Sequence, residues 1–399
     1  MRIAFVTPEF VSEPRFDGGL ANYLLRVTRM LNGLGHEPHV IVASDRDEDL
    51  VFEGVAVHRV DVQSGVVTRL VRKLLRSRAS IALIPWQSFR LNQRVRALHR
   101  ARQFDVAHYA SYTATALFRP SSIPCVVRLS SLESLWSDAY ERGKASKGVT
   151  RATSWLETHA LLRADQLICP SVHLARTASE RIDRPVEVVE SPYLPPTDPL
   201  DDRIYQKHLA GKRYGMFFGT IGLLKGVKTL AEALPELFSA EKDLFFVFVG
   251  KQTSDAGRPM LETVFAHVGA DAKRVLHFEP MSHAELYPII DGASVVVLPS
   301  RVDNFPNTCL EAMSRGKLVV GTRGASFEQL IDDGASGYLC EIDDRKSLLA
   351  AMKRALACES PDEVGERAKA RIARLGAEGV GRDLVRVYEA TIARKGGIK

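Results

Sequence analysis

Short runs of branched and aromatic residues alternate along this chain with stretches patterned for helices. In the first half, Arg2–Thr7, His39–Ala43, Ala56–Val60, Asp105–Tyr109, Cys125–Leu129, Gln166–Pro170 and Val186–Val189 read as strands. In the second half the strand candidates are Gly215–Phe218, Leu244–Val249, Arg274–Phe278, Ser294–Leu298, Lys317–Gly321 and Gly337–Cys340. Alternation of this kind predicts α/β architecture, with parallel sheets covered by helices on both faces. Between the halves lies Ser191-Pro192-Tyr193-Leu194-Pro195-Pro196-Thr197-Asp198-Pro199, with four prolines in nine residues. Such a segment continues neither a helix nor a strand ladder, so it reads as a linker. The predicted fold is therefore two Rossmann-like, doubly wound parallel-sheet domains facing across a cleft. The first domain covers 1–195 and the second 205–375. A C-terminal helix with a basic tail, 376–399, has the option of crossing back to the first domain.

Bulk properties fit this picture. A chain of 399 residues is too long for one ordinary core. It is 45% hydrophobic, and no apolar run approaches the ~18 residues of a membrane span. Its opening, Met1 to Pro8, reads as a first strand rather than a secretory signal. Its five cysteines are scattered and include no C-x-x-C pair, which suggests reduced thiols and a cytoplasmic setting.

Charge changes the picture at one place. Net charge is only +6, yet Val66 to Phe104 holds ten Lys or Arg residues and no Asp or Glu. Leu70, Val71, Leu74, Leu75, Ile81, Leu83, Ile84, Trp86 and Phe89 are interleaved with them. One reading is a pair of solvated basic helices interrupted at Pro85. The other is a surface for anionic lipid, peripheral to the inner face of a membrane, or for a phosphorylated acceptor. No nucleic-acid-binding module is recognisable, so no nucleic-acid partner is expected.

Candidate chemistry concentrates in Pro299-Ser300-Arg301-Val302-Asp303-Asn304-Phe305-Pro306-Asn307-Thr308-Cys309-Leu310-Glu311-Ala312. An apolar strand ends here, a loop follows, and a helix begins. Ligands of open α/β sheets bind beyond the carboxyl ends of the strands. Free N–H groups at a helix start suit phosphate, and carboxylates suit hydroxyls. Asp303 and Glu311 bracket the turn eight positions apart, so a diphosphate bearing a sugar at each end would use all three features. Two local roles compete: Thr308-x-x-Glu311 has capping-box spacing, and Asp303 is a turn-forming residue type.

Three further strand-end loops carry candidates. Asp17-Gly18-Gly19-Leu20 precedes a helix expected over Ala21 to Gly35, and paired glycines let backbone approach a ligand. This is not G-x-G-x-x-G, which lowers the odds of a dinucleotide enzyme. Phe217 to Gly226 places Lys225 among Gly219, Gly222 and Gly226, where it suits phosphate as a point charge. Val249-Gly250-Lys251, beside His277-Phe278-Glu279-Pro280, suits a base or ribose.

Together these pieces resemble the retaining, nucleotide-diphosphate-sugar-dependent glycosyltransferases of family 4, which have the two-Rossmann GT-B fold. The resemblance rests on Gly18-Gly19, Gly219 to Gly226, Gly250-Lys251, Pro299 to Gly316, Gly321 to Glu328, and Asp333 to Gly337. It implies that Glu311 accepts hydrogen bonds from the donor's ribose hydroxyls and that Asp303 lies beside the transferred sugar. Backbone N–H groups of Asn304, Phe305 and Asn307 would meet sugar hydroxyls or phosphate. Lys225 would balance the charge that grows on the leaving diphosphate. Gly18 and Gly19 would close on the same diphosphate, and Thr220, Lys251, Arg301 and Thr308 complete the implied donor-binding set. His108 is the implied residue near the reacting carbon. Neither a metal nor another cofactor is implied. UDP is the default nucleotide by analogy, and the acceptor hydroxyl would belong to a polysaccharide, a glycolipid or a secondary metabolite.

The sequence departs from the family pattern at four places. Thr220 stands where Arg is common, leaving Arg301 or Arg323 to supply the second cation. Asp303 stands where Glu is usual. Ala110 and Ser130 stand where histidines are often found. These departures keep two alternatives in view: an epimerase or phosphorylase on the same fold, and a non-catalytic nucleotide-sugar-binding module.

Overall fold

A computed structural model describes residues 1–13, 18–76, 79–130, 147–196, 198–255 and 257–397. Asp17 of the paired-glycine motif, Thr197 of the linker, and Ser77 and Arg78 of the basic stretch lie outside these residues. The chain divides into two units, Met1–Pro192 with Leu375–Lys399, and Tyr193–Arg374.

The first unit runs β1 (Arg2–Thr7), α1 (Gly19–Gly33), β2 (Glu37–Ser44), β3 (Glu48–Phe52), β4 (Val55–Asp61), α2 (Val66–Leu75), α3 (Ala79–Arg102), β5 (Val106–Ala110), β6 (Cys125–Arg128), α4 (Lys147–Leu162), β7 (Gln166–Cys169), α5 (Val172–Ile182) and β8 (Glu187–Val188). The eight strands are ordered β3-β4-β2-β1-β5-β6-β7-β8. All pair in parallel except β3 with β4. The apolar strands explain this: β1, β5 and β6 are buried almost throughout, as parallel strands covered on both faces must be. One side of the core joins Val6, Ile41, Tyr109 and Val127 of the sheet to Leu91 and Val95 of α3 and Ala160 and Leu161 of α4.

Two features differ from the sequence-based expectation. Strand β3 is not signalled by pattern, because Glu48 and Asp49 break its apolar run. It is an edge strand joined to β4 through Glu53 and Gly54, whose positive φ values of 50° and 79° are those of a tight hairpin turn. Pro85 does not interrupt the basic stretch; it lies inside α3. Proline there forfeits one bond, to the carbonyl of Ile81, which the helix survives.

The second unit runs α6 (Arg203–His208), β9 (Arg213–Phe218), α7 (Val227–Ala240), β10 (Leu244–Val249), β11 (Ser254–Asp255), β12 (Arg258–Pro259), α8 (Met260–Val268), β13 (Val275–Phe278), α9 (His283–Gly292), β14 (Val295–Leu298), α10 (Asn307–Ser314), β15 (Val319–Thr322), β16 (Tyr338–Cys340), α11 (Arg345–Leu356) and α12 (Pro361–Ala373). Six parallel strands are ordered β13-β10-β9-β14-β15-β16, and β11 and β12 form a separate small hairpin. The chain winds outward from β9 through β10 to β13, then returns to β14 on the other side of β9. The carboxyl ends of β9 and β14 therefore flank the topological switch point, where doubly wound sheets hold ligands.

The last helix, α13 (Arg382–Gly396), packs with the first unit. Between α12 and α13 the chain makes a π-turn at Ala377–Gly381, so the C-terminal helix expected from 376 starts regularly only at Arg382. Arg386 pairs with Glu187 and Lys395 with Asp165, fastening α13 to that sheet's edge.

Candidate functional site

The switch point of the second unit gathers residues from two loops. Strand β9 is followed by Gly219, Thr220 and a 3-10 turn, Leu223–Lys225. Strand β14 is followed by Pro299 to Pro306 and then α10. The strands are neighbours in the sheet, so loops distant in sequence meet at their ends. The Arg301 N–H donates to the Leu224 carbonyl at 2.9 Å, joining them directly. Gly226 makes this approach possible. Its φ is +71°, and a Cβ there would lie 1.7 Å from the Pro299 carbonyl oxygen, so only glycine fits.

Across this junction Lys225 Nζ lies 2.5 Å from Asp303 Oδ2. The lysine side chain is 30% exposed and the carboxylate 13%. The other oxygen, Oδ1, accepts the Asn304 N–H at 3.0 Å. Asp303 is thus both the turn-forming residue and the ion-pair partner, one oxygen to each task. This corrects one expectation: the Asn304 N–H is engaged by its neighbour rather than available to a ligand. The Phe305 N–H makes no hydrogen bond among the described residues. Ser326 donates its hydroxyl to the Asp303 carbonyl, steadying the loop from a third element.

Helix α10 begins differently from its sequence signature. Pro306 is the N-cap, and its carbonyl accepts from Cys309 and Leu310. Thr308 therefore sits inside the first turn and caps nothing, so the competing role offered by its spacing, a capping box with Glu311, does not form. The same S/T-x-x-E spacing does form one at Ser282 and Glu285, opening α9. Released from capping, Glu311 is buried at the second turn of α10. His283 Nε2 lies 3.7 Å from its Oε1. Sequence reasoning missed His283; the available signal was the Ser282–Glu285 box, which fixes a helix start there.

The remaining candidates separate. Arg301 pairs with Asp343 at 2.8 Å. Arg323 pairs with Asp333 and with Glu341. Both cations expected to replace the arginine absent at Thr220 are therefore committed elsewhere. Lys251, just beyond β10, is exposed and forms no ion pair among the described residues. Thr220 is exposed, and the Thr308 methyl packs under Gly219. Asn304 and Phe305 are buried, and Asn307 and Thr308 half-buried.

In the first unit, Gly18 is the N-cap of α1 and Gly19 its first residue, so the helix starts two positions before the expected Ala21. His108 is 1% exposed. Its Nδ1 lies 2.7 Å from the Tyr388 hydroxyl, and its ring packs on Phe5. Burial, reinforced by the Arg128 charge, lowers its pKa to about 3. These are the surroundings of a core histidine. Because the folded protein holds it neutral, stability is fully present above the unfolded pKa of ~6.5 and falls as pH drops towards 3. At pH 5 the loss should reach about 2 kcal/mol. Urea unfolding of His108→Gln at pH 8 and pH 5 should show a pH dependence smaller by that amount; an unchanged dependence would remove His108 as its source.

Among the described residues, no three His, Cys, Asp or Glu side chains gather as a metal-ligand set. No helix among them is long and apolar enough to cross a membrane.

Two family models match the chain along most of its length. "Glycosyltransferase Family 4" matches residues 17–192, and "Glycosyl transferases group 1" matches residues 212–358. The chain belongs to the family 4 glycosyltransferases. It is 34% identical over 133 residues to a D-inositol 3-phosphate glycosyltransferase of Arthrobacter, a match covering 33% of this chain and 31% of that relative. It is 25% identical over 367 residues to a GDP-mannose-dependent alpha-mannosyltransferase of Mycolicibacterium smegmatis, covering 88% of this chain and 87% of that one. The chain thus spans about a third of the first relative and most of the second. Among solved structures, sucrose-phosphate synthase of Thermosynechococcus elongatus superposes with a TM-score of 0.73 at 18% identity. That likeness covers 98% of this chain and 99% of the other, and it establishes the shared GT-B fold.

Proposed function

We propose that this family 4 glycosyltransferase moves a sugar from a nucleotide-diphosphate sugar to an acceptor hydroxyl, with retention of anomeric configuration and without a metal. The carrying observation is the Lys225–Asp303 ion pair at the switch point, beside the first turn of α10. The diphosphate lies against that turn, where helix N–H groups favour anions. Glu311 accepts hydrogen bonds from the ribose hydroxyls, and Asp303 faces the transferred sugar. Lys225, paired with Asp303 in the free protein, turns to the diphosphate as charge develops there. The acceptor oxygen bonds to the anomeric carbon as its bond to the phosphate oxygen breaks. The nucleoside diphosphate leaves, and its departing oxygen takes the acceptor proton. No role falls to His108, whose ring is enclosed.

Uridine is the first base to test, and guanosine stays in the comparison because one relative is named for GDP-mannose. The test is calorimetric titration with UDP, GDP, ADP and TDP, with Glu311→Ala as control. Selective binding of one nucleotide, lost in the variant, is expected. Binding of none would overturn the reading.

We also place this protein at an anionic lipid surface through α2. Val66, Leu70 and Leu74 follow one another at four-residue spacing and are 76%, 53% and 69% exposed. Arg69, Arg72, Lys73 and Arg76 are exposed beside them. An apolar stripe edged by cations complements anionic headgroups over acyl chains. Each cation contributes roughly 1 kcal/mol near such a surface. Reversing all four charges should abolish co-sedimentation with phosphatidylglycerol vesicles at low salt. Equal binding by the variant would reduce α2 to a solvated face.

A further inference from the structure

The first unit has a strongly cationic cavity at the amino-terminal ends of its strands, opposite the strand ends that lead to Gly18 and Gly19. It measures about 510 Å³ and is lined by Arg96, His99, Arg100, Arg119, Arg163 and the segment from Pro120 to Ser122. These residues come from the last turns of α3, the loop before β6, and the turn before β7. All three lead into the amino-terminal ends of parallel strands, the edge that the donor chemistry of a doubly wound sheet does not use.

Of the four arginines here, Arg119 alone pairs with a carboxylate among the described residues, and its other N–H groups donate to the carbonyls of Arg163, Pro120 and Ile123. Asp165 is engaged by both Arg119, at 3.0 Å, and Lys395, at 2.8 Å. Among the described residues Arg96 donates only to the Phe118 carbonyl, at 2.6 Å. The Arg100 and Arg163 guanidiniums form no hydrogen bond or ion pair among the described residues. His99 Nδ1 accepts the Phe104 N–H at 2.9 Å, which leaves Nε2 as the proton-bearing nitrogen of the neutral ring. The cavity therefore offers an imidazole donor, serine hydroxyls and guanidinium forks around one space of small-molecule size. Guanidinium forks match phosphate oxygens in pairs.

We infer that this cavity is a binding site for a small anion carrying two or more phosphate groups, separate from the donor site. A single phosphate would meet too few of the cations, because those open to a ligand, Arg96 and Arg100 on α3 and Arg163 on the turn before β7, approach from two different elements. The cations surround one cavity rather than track along a face, which favours a compact ligand over a strand of nucleic acid. Binding here is independent of the proposed transfer reaction.

The test is calorimetry of the full chain with inorganic tripolyphosphate. The Lys225→Ala variant is used so that the donor site contributes least. Saturable binding that weakens with salt is expected. Arg100→Ala/Arg163→Ala removes two exposed side chains without structural partners, so that protein should keep its melting temperature. Its affinity for tripolyphosphate, measured in the Lys225→Ala background, should fall about tenfold or more. Inorganic monophosphate should bind the unaltered cavity at least about tenfold more weakly than tripolyphosphate. Absence of tripolyphosphate binding to Lys225→Ala would overturn the site. So would affinity unaffected by the arginine changes, or equal affinity for mono- and tripolyphosphate.

Discussion

Lys225→Ala should lower kcat by about a hundredfold or more while changing KM far less, the signature of a group that matters most when the leaving diphosphate gains charge. A second role of the same lysine must be separated from this one. Lys225 also neutralises Asp303, which is largely buried and accepts a second hydrogen bond within its own turn. Removing the lysine leaves that carboxylate without its cation, and a shifted loop would also slow turnover. The Asp303→Asn variant and the Lys225→Ala/Asp303→Asn double variant complete a cycle. If Lys225 acts on the diphosphate, the double variant stays as slow as the lysine variant. Recovery of kcat in the double variant would make Lys225 a partner for Asp303 and nothing more. Unchanged kcat in the single variant would remove it from the reaction.

Glu311→Ala should weaken binding of the preferred nucleotide by roughly 1–3 kcal/mol, the cost of leaving buried hydroxyls unpaired. That corresponds to about five- to 150-fold in Kd. Glu311 has this leverage because it is buried and does no capping. Glu311→Gln keeps the shape and one acceptor oxygen, so it should lose less than the alanine variant. His283→Ala, removing the imidazole 3.7 Å from the carboxylate, serves as a control for indirect effects. Nucleotide affinity that is unchanged in a folded Glu311→Ala protein would end the ribose assignment.

Much of the framework is legible in the residues alone. The apolar runs match the observed strands closely, because buried parallel strands are nearly continuous apolar segments. Strand β3 escapes because an edge strand exposes one side and tolerates acids. The helix through Pro85 escapes because a proline's local cost is outweighed by packing that sequence pattern does not display. Thr308 and Glu311 mark the sharper limit. The same four-residue pattern caps one helix at Ser282 and fails at Thr308, where Pro306 has already taken the N-cap position.

The sequence by itself determined the alternation of strand and helix, the residue types at the strand ends, and the uneven basic charge. Each of these is a local property, set by side-chain chemistry within a few residues. Only the tertiary structure decided which of those residues act together. It paired Lys225 with Asp303 across 78 positions because β9 and β14 are neighbours in the sheet. It committed Arg301 and Arg323 to carboxylates from other loops, enclosed His108 beneath Tyr388, and gathered arginines from three elements around one cavity. A charged side chain's role depends on which opposite charge lies within a few ångströms, and strand order rather than sequence spacing sets that distance.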